Sequence, residues 1–206
     1  MDPRKERLMR VTVFSAGLLF LVIAIPAGAQ GWGECAGISG NLVGALNCDF
    51  TDGVNHWTFS SVMGTWTSDA SKGYPSPPSG TAEAVDPSSY AFTITSDCIA
   101  VSAGTDHTLG VYSNTPGGAT IGCAGRIEEF TTADCSGSST VTPDVPFTPV
   151  PNEWTPFSTT WTTGATTQSA YGWIDCSADA SFTVLFDNIV LVEGDLPVEL
   201  QAFTVE

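Results

Sequence analysis

Short runs of alternating apolar and polar residues dominate this sequence and most restrict the folds open to it. Eight runs have the period of two that is typical of a β-strand with one buried face. Beyond residue 30, no segment keeps apolar residues at helical spacing for more than a turn or two. The predicted strands are 41–50, 57–66, 90–101, 107–113, 121–130, 155–162, 169–176 and 181–192. Strands of this number and length predict an all-β fold, a two-sheet antiparallel β-sandwich.

The first 29 residues have the organisation of a cleavable signal peptide. Four basic residues precede an apolar run over 11–25, and the run closes on Ala27 and Ala29 as a small-x-small cleavage site. The run has roughly 15 residues, fewer than the ~20 that a membrane-spanning helix needs. We therefore expect a mature chain that begins at Gln30, is not inserted in the membrane and is secreted or held at the cell surface. An uncleaved membrane anchor is the alternative.

Cleavage would change the charge of the chain strongly. Among the six basic residues only Lys72 and Arg126 lie beyond the signal peptide, whereas 20 of the 22 acidic residues do, since Asp2 and Glu6 are removed. The mature chain therefore carries a net charge of about −18. Two cations cannot neutralise a row of phosphates, which excludes nucleic acid and anionic membranes as partners.

All six cysteines lie in the predicted mature chain, in a compartment where disulfides persist. The alternative, a zinc site, is disfavoured because the sequence has no Cys-x-x-Cys pair and its two histidines, His56 and His107, stand alone. Six cysteines allow fifteen pairings, among which the sequence does not choose. Closeness along the chain makes Cys35 with Cys48 the first candidate.

The order of four segments resembles bacterial carbohydrate-binding modules of the jelly-roll, galactose-binding-like (CenC-like) type. Each segment is short, and their order over 41–193 carries the resemblance. The segments are Asn47-Cys48-Asp49-Phe50 followed by Trp57, the strand and turn over 96–105, Trp154-Thr155-Pro156-Phe157-Ser158, and Phe186-Asp187-Asn188-Ile189. The resemblance implies a jelly-roll sandwich over 30–194 that binds carbohydrate, with 195–206 as a C-terminal tail. The two Pro-, Ser- and Gly-rich segments 68–89 and 136–153 are predicted to be loops.

The same resemblance implies one cofactor, a structural calcium ion where the first and last strands meet. Asp49, Asp52 and Asp187 could supply hard oxygen atoms from their carboxylates, and Asp49 and Asp187 are the candidate ligands. The family usually has Glu after the opening Asp-Phe, whereas this chain has Thr51, and no Asp-x-Asp-x-Asp-Gly loop is present. The alternative is that both aspartates accept backbone hydrogen bonds at turns and strand ends.

Strand alternation points to one candidate binding face. Small or apolar residues fill one side of the strand over 169–176, and two other predicted strands show the same pattern. If the three strands share a sheet, their polar and aromatic residues form a single surface, and that surface contains one of the two mature cations. The predicted ligand-binding residues are Tyr112, Arg126, Glu128, Tyr171, Trp173 and Asp175. The alternative is an ordinary solvated face on which Arg126 pairs with a neighbouring carboxylate.

The same alternation turns Cys123 and Cys176 inward, which makes them a candidate bridge. That pairing leaves Cys98 to bond with Cys135, and both of these cysteines fall on positions that resemble the family.

Catalytic signatures are missing from the sequence. It has no Gly-x-Ser-x-Gly elbow, no His-Glu-x-x-His and no phosphate loop. Glu128 and Glu129 are consecutive on a predicted strand, so they point to opposite faces and cannot act as a pair of catalytic carboxylates. We therefore expect an exported, non-catalytic module that binds glycan by aromatic stacking and polar contacts. The alternative is a structural or adhesion β-sandwich of the cell surface without a sugar site.

Overall fold

A computed structural model describes residues 32, 34–85, 89–117 and 120–196. The predicted signal peptide, its cleavage site and the tail from residue 197 onward lie outside the described residues. Within the described residues, no helix is long and apolar enough to cross a membrane.

The described chain contains twelve β-strands and two short 3-10 turns. The turns, Cys35–Gly37 and Gly44–Leu46, both precede the first strand. The strands are β1 (Trp57–Ser60), β2 (Thr65–Asp69), β3 (Ser79–Ala84), β4 (Ala91–Ser96), β5 (Ile99–Ala100), β6 (Asp106–Asn114), β7 (Ile121–Phe130), β8 (Ser139–Val141), β9 (Val145–Phe147), β10 (Thr155–Thr162), β11 (Ser169–Ala178) and β12 (Phe182–Glu193).

The strands form two antiparallel sheets, which confirms the predicted β-sandwich. Sheet A has the order β1-β4-β11-β7-β8, with β5 paired to β11 and β9 paired to β7. Sheet B has the order β10-β6-β12-β3-β2. Most neighbours are distant in sequence, the exceptions being β7 with β8 and β2 with β3, so the sheets depend largely on long-range pairing.

The core lies between the two sheets and contains the alternate side chains that the apolar pattern predicts. Sheet A contributes Ile94, Ile127 and Ile174, and sheet B contributes residues such as Leu109 and Val184, all of them buried. The sheets approach closely at Gly125 of β7, where an added Cβ would lie 2.7 Å from the ring of Phe157 on β10. Glycine at this position therefore lets a ring of sheet B contact the backbone of sheet A.

Most predicted strands are present, and the differences have local causes. The predicted limits of β7 and β10 match the structure. The strand predicted over 41–50 is wrong, because this segment forms a 3-10 turn and further turns, with φ of 58° at both Asn47 and Phe50. The segments 68–89 and 136–153 are not entirely loops, because the first contains β3 and the second contains β8 and β9. Small residues make up much of β3, so its sequence lacks a recognisable apolar alternation.

The segment before β1 covers part of the outer face of sheet B. Trp32 packs over Gly110 of β6, where an added Cβ would lie 2.7 Å from the indole ring. The Leu42 N–H donates a hydrogen bond of 2.7 Å to the Leu191 carbonyl on β12. This cover leaves the outer face of sheet A as the more open broad face of the sandwich.

Three disulfides join the six cysteines, all of which lie in the described residues. The bonds are Cys35–Cys48, Cys98–Cys135 and Cys123–Cys176. These are the pairings that closeness along the chain and strand alternation favour. The first ties the N-terminal segment together, and the other two lie in or next to sheet A.

We predict that the loss of a disulfide costs more stability the longer the chain it closes. Replacing Cys123 and Cys176 by Ala opens a separation of 53 residues, whereas replacing Cys35 and Cys48 opens one of 13. Loop entropy predicts losses in the free energy of unfolding of about 4 and about 3 kcal/mol, respectively. Urea titration of the oxidised variants measures both losses. Equal losses would mean that native packing, not loop closure, sets the contribution of these bonds.

Candidate functional site

The outer face of sheet A is arranged as a grid of cross-strand rows on β4, β11 and β7. The register of these strands aligns one residue of each strand in every row. The first two rows carry small or short side chains, and the third carries an aromatic ring beside a cation. From one end of the strands to the other the rows are Ala91–Ser177–Gly122, Thr93–Asp175–Ala124, Thr95–Trp173–Arg126 and, on β11 and β7 alone, Tyr171–Glu128.

A groove of about 660 Å³ lies over the two rows of small residues. On one side it is bounded by Ser60, Ser61 and Val62, where β1 turns into β2. On the other side it is bounded by Asp144, in the turn between β8 and β9. The groove exists because only short side chains lie between these two turns, so the space above them stays open. At Gly122 an added Cβ would meet no atom within 4 Å, so the floor is open there.

Arg126 joins the groove to the aromatic row through two ion pairs. Its Nη2 lies 2.6 Å from Oδ2 of Asp175, and its Nη1 lies 3.0 Å from Oδ1 of Asp144. Thr93 donates a further hydrogen bond of 2.5 Å to Oδ1 of Asp175. Arg126 is more sheltered than either carboxylate, with a side chain that is 21% exposed against 30% for Asp175 and 57% for Asp144. The guanidinium is therefore held in a fixed orientation by groups on two different strands and a turn.

The same guanidinium stacks on Trp173. Its central carbon lies 4.2 Å from the centroid of the indole ring, within the range of a cation–π contact. Tyr171, two residues earlier on β11, makes an edge-to-face contact with Phe130 at a centroid distance of 5.3 Å. Arg126 thus occupies one face of the indole, and both aromatic rings are half-buried in the sheet surface.

Five of the six predicted ligand-binding residues share the outer face of sheet A. The five are Arg126, Glu128, Tyr171, Trp173 and Asp175. Asp175 lines the groove, while the others lie in the rows next to it. Glu129, in contrast, points to the interior and accepts hydrogen bonds from the Gly164 N–H and the Thr167 hydroxyl. The predicted opposite orientation of Glu128 and Glu129 is therefore confirmed.

The prediction that Tyr112 belongs to this surface is wrong. Tyr112 lies on β6, which pairs with β10 and β12 in sheet B, so the three strands do not share a sheet. Its ring does point away from the core between the sheets, but the N-terminal segment covers it. The side chain is 2% exposed, packs against Trp32 and Tyr74 and donates a hydrogen bond of 2.8 Å to the Trp32 carbonyl.

The sequence analysis missed the groove itself. Its floor consists of small residues, which carry no chemical signal of their own, and its walls come from two turns distant in sequence. Asp144 lies 18 residues from Arg126 within a segment predicted to be a loop. The small residues of the strands over 90–101 and 121–130 were a signal for a depression, but only the register reveals that they are adjacent.

A second, smaller pocket contains the two predicted calcium ligands. Asp49, Asp187 and Glu34 line this cavity of about 190 Å³ between the N-terminal segment and the loop that follows β2. Asp187 lies where the register of β12 is interrupted by a bulge, and it is 1% exposed. Its carboxylate accepts hydrogen bonds from the Tyr74 N–H at 2.6 Å and the Asn188 N–H at 2.7 Å.

The Asp187 carboxylate lacks a compensating cation among the described residues that contact it. Burial, with smaller contributions from the charges of Asp49 and Glu34, raises its pKa to about 7 against the lowering effect of the two backbone hydrogen bonds. A buried carboxylate beside two acidic neighbours fits the chemistry of a divalent cation. However, no group of three or more His, Cys, Asp or Glu side chains in the described residues is arranged to hold a metal. A cation here would therefore also need oxygen atoms from the main chain.

Comparison with known proteins identifies the fold. No protein-family model matches the sequence, and no curated protein matches it. Solved structures do match. The C-terminal family 22 carbohydrate-binding module of Clostridium thermocellum Xyn10B matches with a TM-score of 0.57 and 13% identity, over 82% of this chain and 100% of the module. TmCBM61, solved with β-1,4-galactotriose, matches with a TM-score of 0.55 and 14% identity, over 76% and 100%.

The chain thus has the β-sandwich fold of these two carbohydrate-binding modules. The enzymatically active domain of tailspike protein 4 from bacteriophage CBA120 also matches, with a TM-score of 0.58, 17% identity and 75% of this chain covered. This chain spans only 21% of that domain. The module part of the predicted resemblance is thus confirmed as a fold, and the low identities carry no conclusion about ligand or activity.

We predict that the metal-free protein loses stability as the pH rises through the range in which Asp187 ionises. The pKa of Asp187 is about 7 in the folded chain against 3.8 for an ordinary aspartate, so the native state binds more protons than the unfolded state between these values. The free energy of unfolding should therefore fall from about pH 4 to about pH 7. Denaturant titrations in chelator measure this slope. The Asp187→Asn variant should flatten it, whereas Asp195→Asn, on an exposed residue, should not.

Proposed function

We propose that this protein is an exported, non-catalytic module that binds glycan on the outer face of sheet A. The observation that carries the proposal is the groove over the two rows of small residues, with the row of Trp173 and Arg126 next to it on the same face. A groove of this kind can accept a chain of sugar rings, because short side chains form its floor, serine and aspartate side chains lie in its walls and an aromatic ring lies in the adjacent row.

The chemistry of the face suits a carbohydrate. A pyranose ring offers C–H groups that pack on an aromatic ring or a small apolar side chain, and Trp173, Tyr171 and Val62 supply such surfaces. Its hydroxyls pair with carboxylates and hydroxyl groups, which Asp144, Asp175 and the serines of the groove supply. Because Asp175 is fixed by Thr93 and Arg126, its lone pairs are oriented before the ligand arrives, which lowers the entropy lost on binding.

The setting of the protein supports the same proposal. Three disulfides need an oxidising compartment, and a signal peptide over 1–29 would deliver the chain there. Several solved structures with this fold are carbohydrate-binding modules, one of them solved with a β-1,4-linked galactotriose. The glycan would therefore be met outside the cytoplasm.

We predict that the groove can be closed without harm to the fold. Gly122→Leu places a side chain in open space on the floor, so glycan binding should be lost while the unfolding midpoint stays within a few degrees. Trp173→Ala should weaken binding roughly tenfold, since an aromatic contact of this kind contributes about 1–2 kcal/mol. A glycan array followed by titration calorimetry of the hit measures both effects.

The matched control is Gly37→Leu, which adds the same side chain at an equally open glycine outside the groove. It should bind glycan as the unaltered protein does. If the folded protein binds no glycan on the array, the structural or adhesion function becomes the better account, with Arg126 and its two aspartates serving only to hold the surface together.

We propose further that a structural calcium ion binds in the pocket of Asp49 and Asp187. The support is the burial of Asp187 beside two other acidic residues, with main-chain oxygen atoms close by. A calcium ion would neutralise this carboxylate and connect the N-terminal segment to β12. Its contribution would be to stability, because the pocket lies on the opposite side of the sandwich from the groove.

We predict that calcium raises the melting temperature of the protein. A ligand that binds only the folded state at about 100 times its dissociation constant adds about 2.7 kcal/mol, which corresponds to a shift of several degrees. Thermal unfolding in calcium, in magnesium and in chelator measures the shift. Asp187→Asn and Asp49→Asn should abolish it, and Asp52→Asn, which removes a nearby charge outside the pocket, should retain it. If calcium does not change the melting temperature of the unaltered protein, the calcium site is contradicted, and the glycan proposal is unaffected.

A further inference from the structure

We infer that the groove takes an uncharged polysaccharide and rejects glycans that carry carboxylate or sulfate groups. This inference rests on the proposed function and names the ligand class of the same face. It comes from the charges around the groove, where the arginine is already neutralised by two carboxylates and a third carboxylate lies in the next row.

The charges of the face sum to a negative value. Arg126 contributes one positive charge, while Asp144, Asp175 and Glu128 contribute three negative charges, a local net charge of −2. Lys72 is the only other Lys or Arg in the part of the chain that the structure describes, and it follows β2, in the other sheet. No Lys or Arg in the described residues lines the groove itself, and Arg126 lies in the adjacent row.

Arg126 is not arranged as a receptor for anions. An arginine that recognises a carboxylate or a sulfate presents two parallel N–H groups to it. Here Nη1 is directed to Asp144 and Nη2 to Asp175, and the remaining nitrogen, Nε, is buried from solvent. One plane of the guanidinium is also covered by the indole of Trp173. Both Nη groups therefore already face a carboxylate, and an anionic ligand that approached either of them would lie next to that carboxylate's negative charge.

The polar groups that line the groove match hydroxyl donors. Asp144 and Asp175 can only accept hydrogen bonds, whereas the hydroxyls of Ser60, Thr93 and Ser177 can donate or accept. An uncharged sugar brings O–H donors to the two carboxylates. A uronate or a sulfate ester brings further acceptors that carry charge, so each would face a carboxylate without a proton or a cation between them.

The charge of the whole molecule acts in the same direction over longer distances. The predicted mature chain carries about −18, which repels a polyanion before contact. Salt screens this long-range term, because the Debye length is about 8 Å at physiological ionic strength. The repulsion inside the groove acts at hydrogen-bond distances and is screened much less. If the protein still binds charged glycans more weakly when the salt concentration rises, the cause is therefore repulsion in the groove and not the net charge of the chain.

The test compares polysaccharides that share a backbone and differ in charge. Suitable pairs are hydroxyethylcellulose with carboxymethylcellulose, methyl-esterified with de-esterified homogalacturonan, and any neutral glycan that the array identifies with its own sulfated derivative. Affinity electrophoresis and calorimetry of the oxidised mature protein give the affinity for each member at about 0.02 M and about 0.15 M NaCl. We expect binding to at least one uncharged member and at least about tenfold weaker binding to its charged partner at both salt concentrations.

Two variants assign the rejection to the groove. Asp144→Asn with Asp175→Asn releases Arg126 and changes the local net charge from −2 to 0, with little change in side-chain volume. In this variant, the affinity for the charged member divided by the affinity for the uncharged member should rise at least about tenfold. Glu153→Gln with Asp195→Asn removes the same total charge from two exposed residues outside the groove, and should change the ratio no more than about twofold. Asp144→Asn alone, on the more exposed carboxylate, provides a second variant in case the double variant does not fold.

Each outcome has one meaning. The inference would be overturned if the unaltered protein bound charged and uncharged members equally well. It would also be overturned if both double variants changed the ratio of these two affinities alike. Neither result would contradict glycan binding itself. A folded protein that binds no member of any pair and no glycan on the array would overturn the proposed function, and the inference with it.

Discussion

The pairing of β7 with β11 is the constraint on which the rest of the molecule depends. Ten consecutive residue pairs join these strands, from Ser169 with Phe130 to Ala178 with Ile121. On the inner face the pairing brings Cys123 to Cys176, and on the outer face it brings Arg126 to Trp173 and Asp175 close to both. A shift of β7 by one residue would turn Arg126 into the core and Cys123 to the outer face, away from Cys176, so the disulfide could not form. The disulfide therefore fixes the register that the binding face needs.

The asymmetry of the sandwich decides which broad face can receive a ligand. The N-terminal segment covers part of sheet B, and Trp32 and Tyr112 form a buried aromatic contact there, with ring centroids 4.8 Å apart. The outer face of sheet A instead carries half-buried polar and aromatic side chains between two turns. Aromatic rings of similar chemistry thus have opposite roles in the two sheets, and only the assignment of strands to sheets separates them.

The sequence predicts the parts of this protein in which alternation is regular. β7, β11 and β12 have long small or apolar faces, so their positions and the inward direction of Cys123 and Cys176 follow from the alternation of side chains. The alternation of side chains does not reveal which strands are neighbours. For this reason the sequence places Tyr112 on the wrong surface. It also does not identify β3, whose small side chains alternate only weakly. The groove could not be predicted, because it consists of the space left by Gly122, Ala124 and Ala91 and is enclosed by turns far apart in sequence.

The two acidic regions of the molecule differ in how their charge is compensated, and this difference separates their roles. At the groove, a single arginine forms ion pairs with both Asp175 and Asp144, whose carboxylate oxygens can also accept hydrogen bonds from hydroxyl donors. At the other site, Asp187 is almost completely buried with two backbone N–H groups as partners, and its pKa is raised to about 7 by that burial. The described chain has only Lys72 and Arg126 to place, and the cation that lies close to a pocket is at the groove. The Asp187 pocket must therefore be stabilised by a proton or by a cation from solution, whereas the aspartates of the groove already have a cation of the chain beside them.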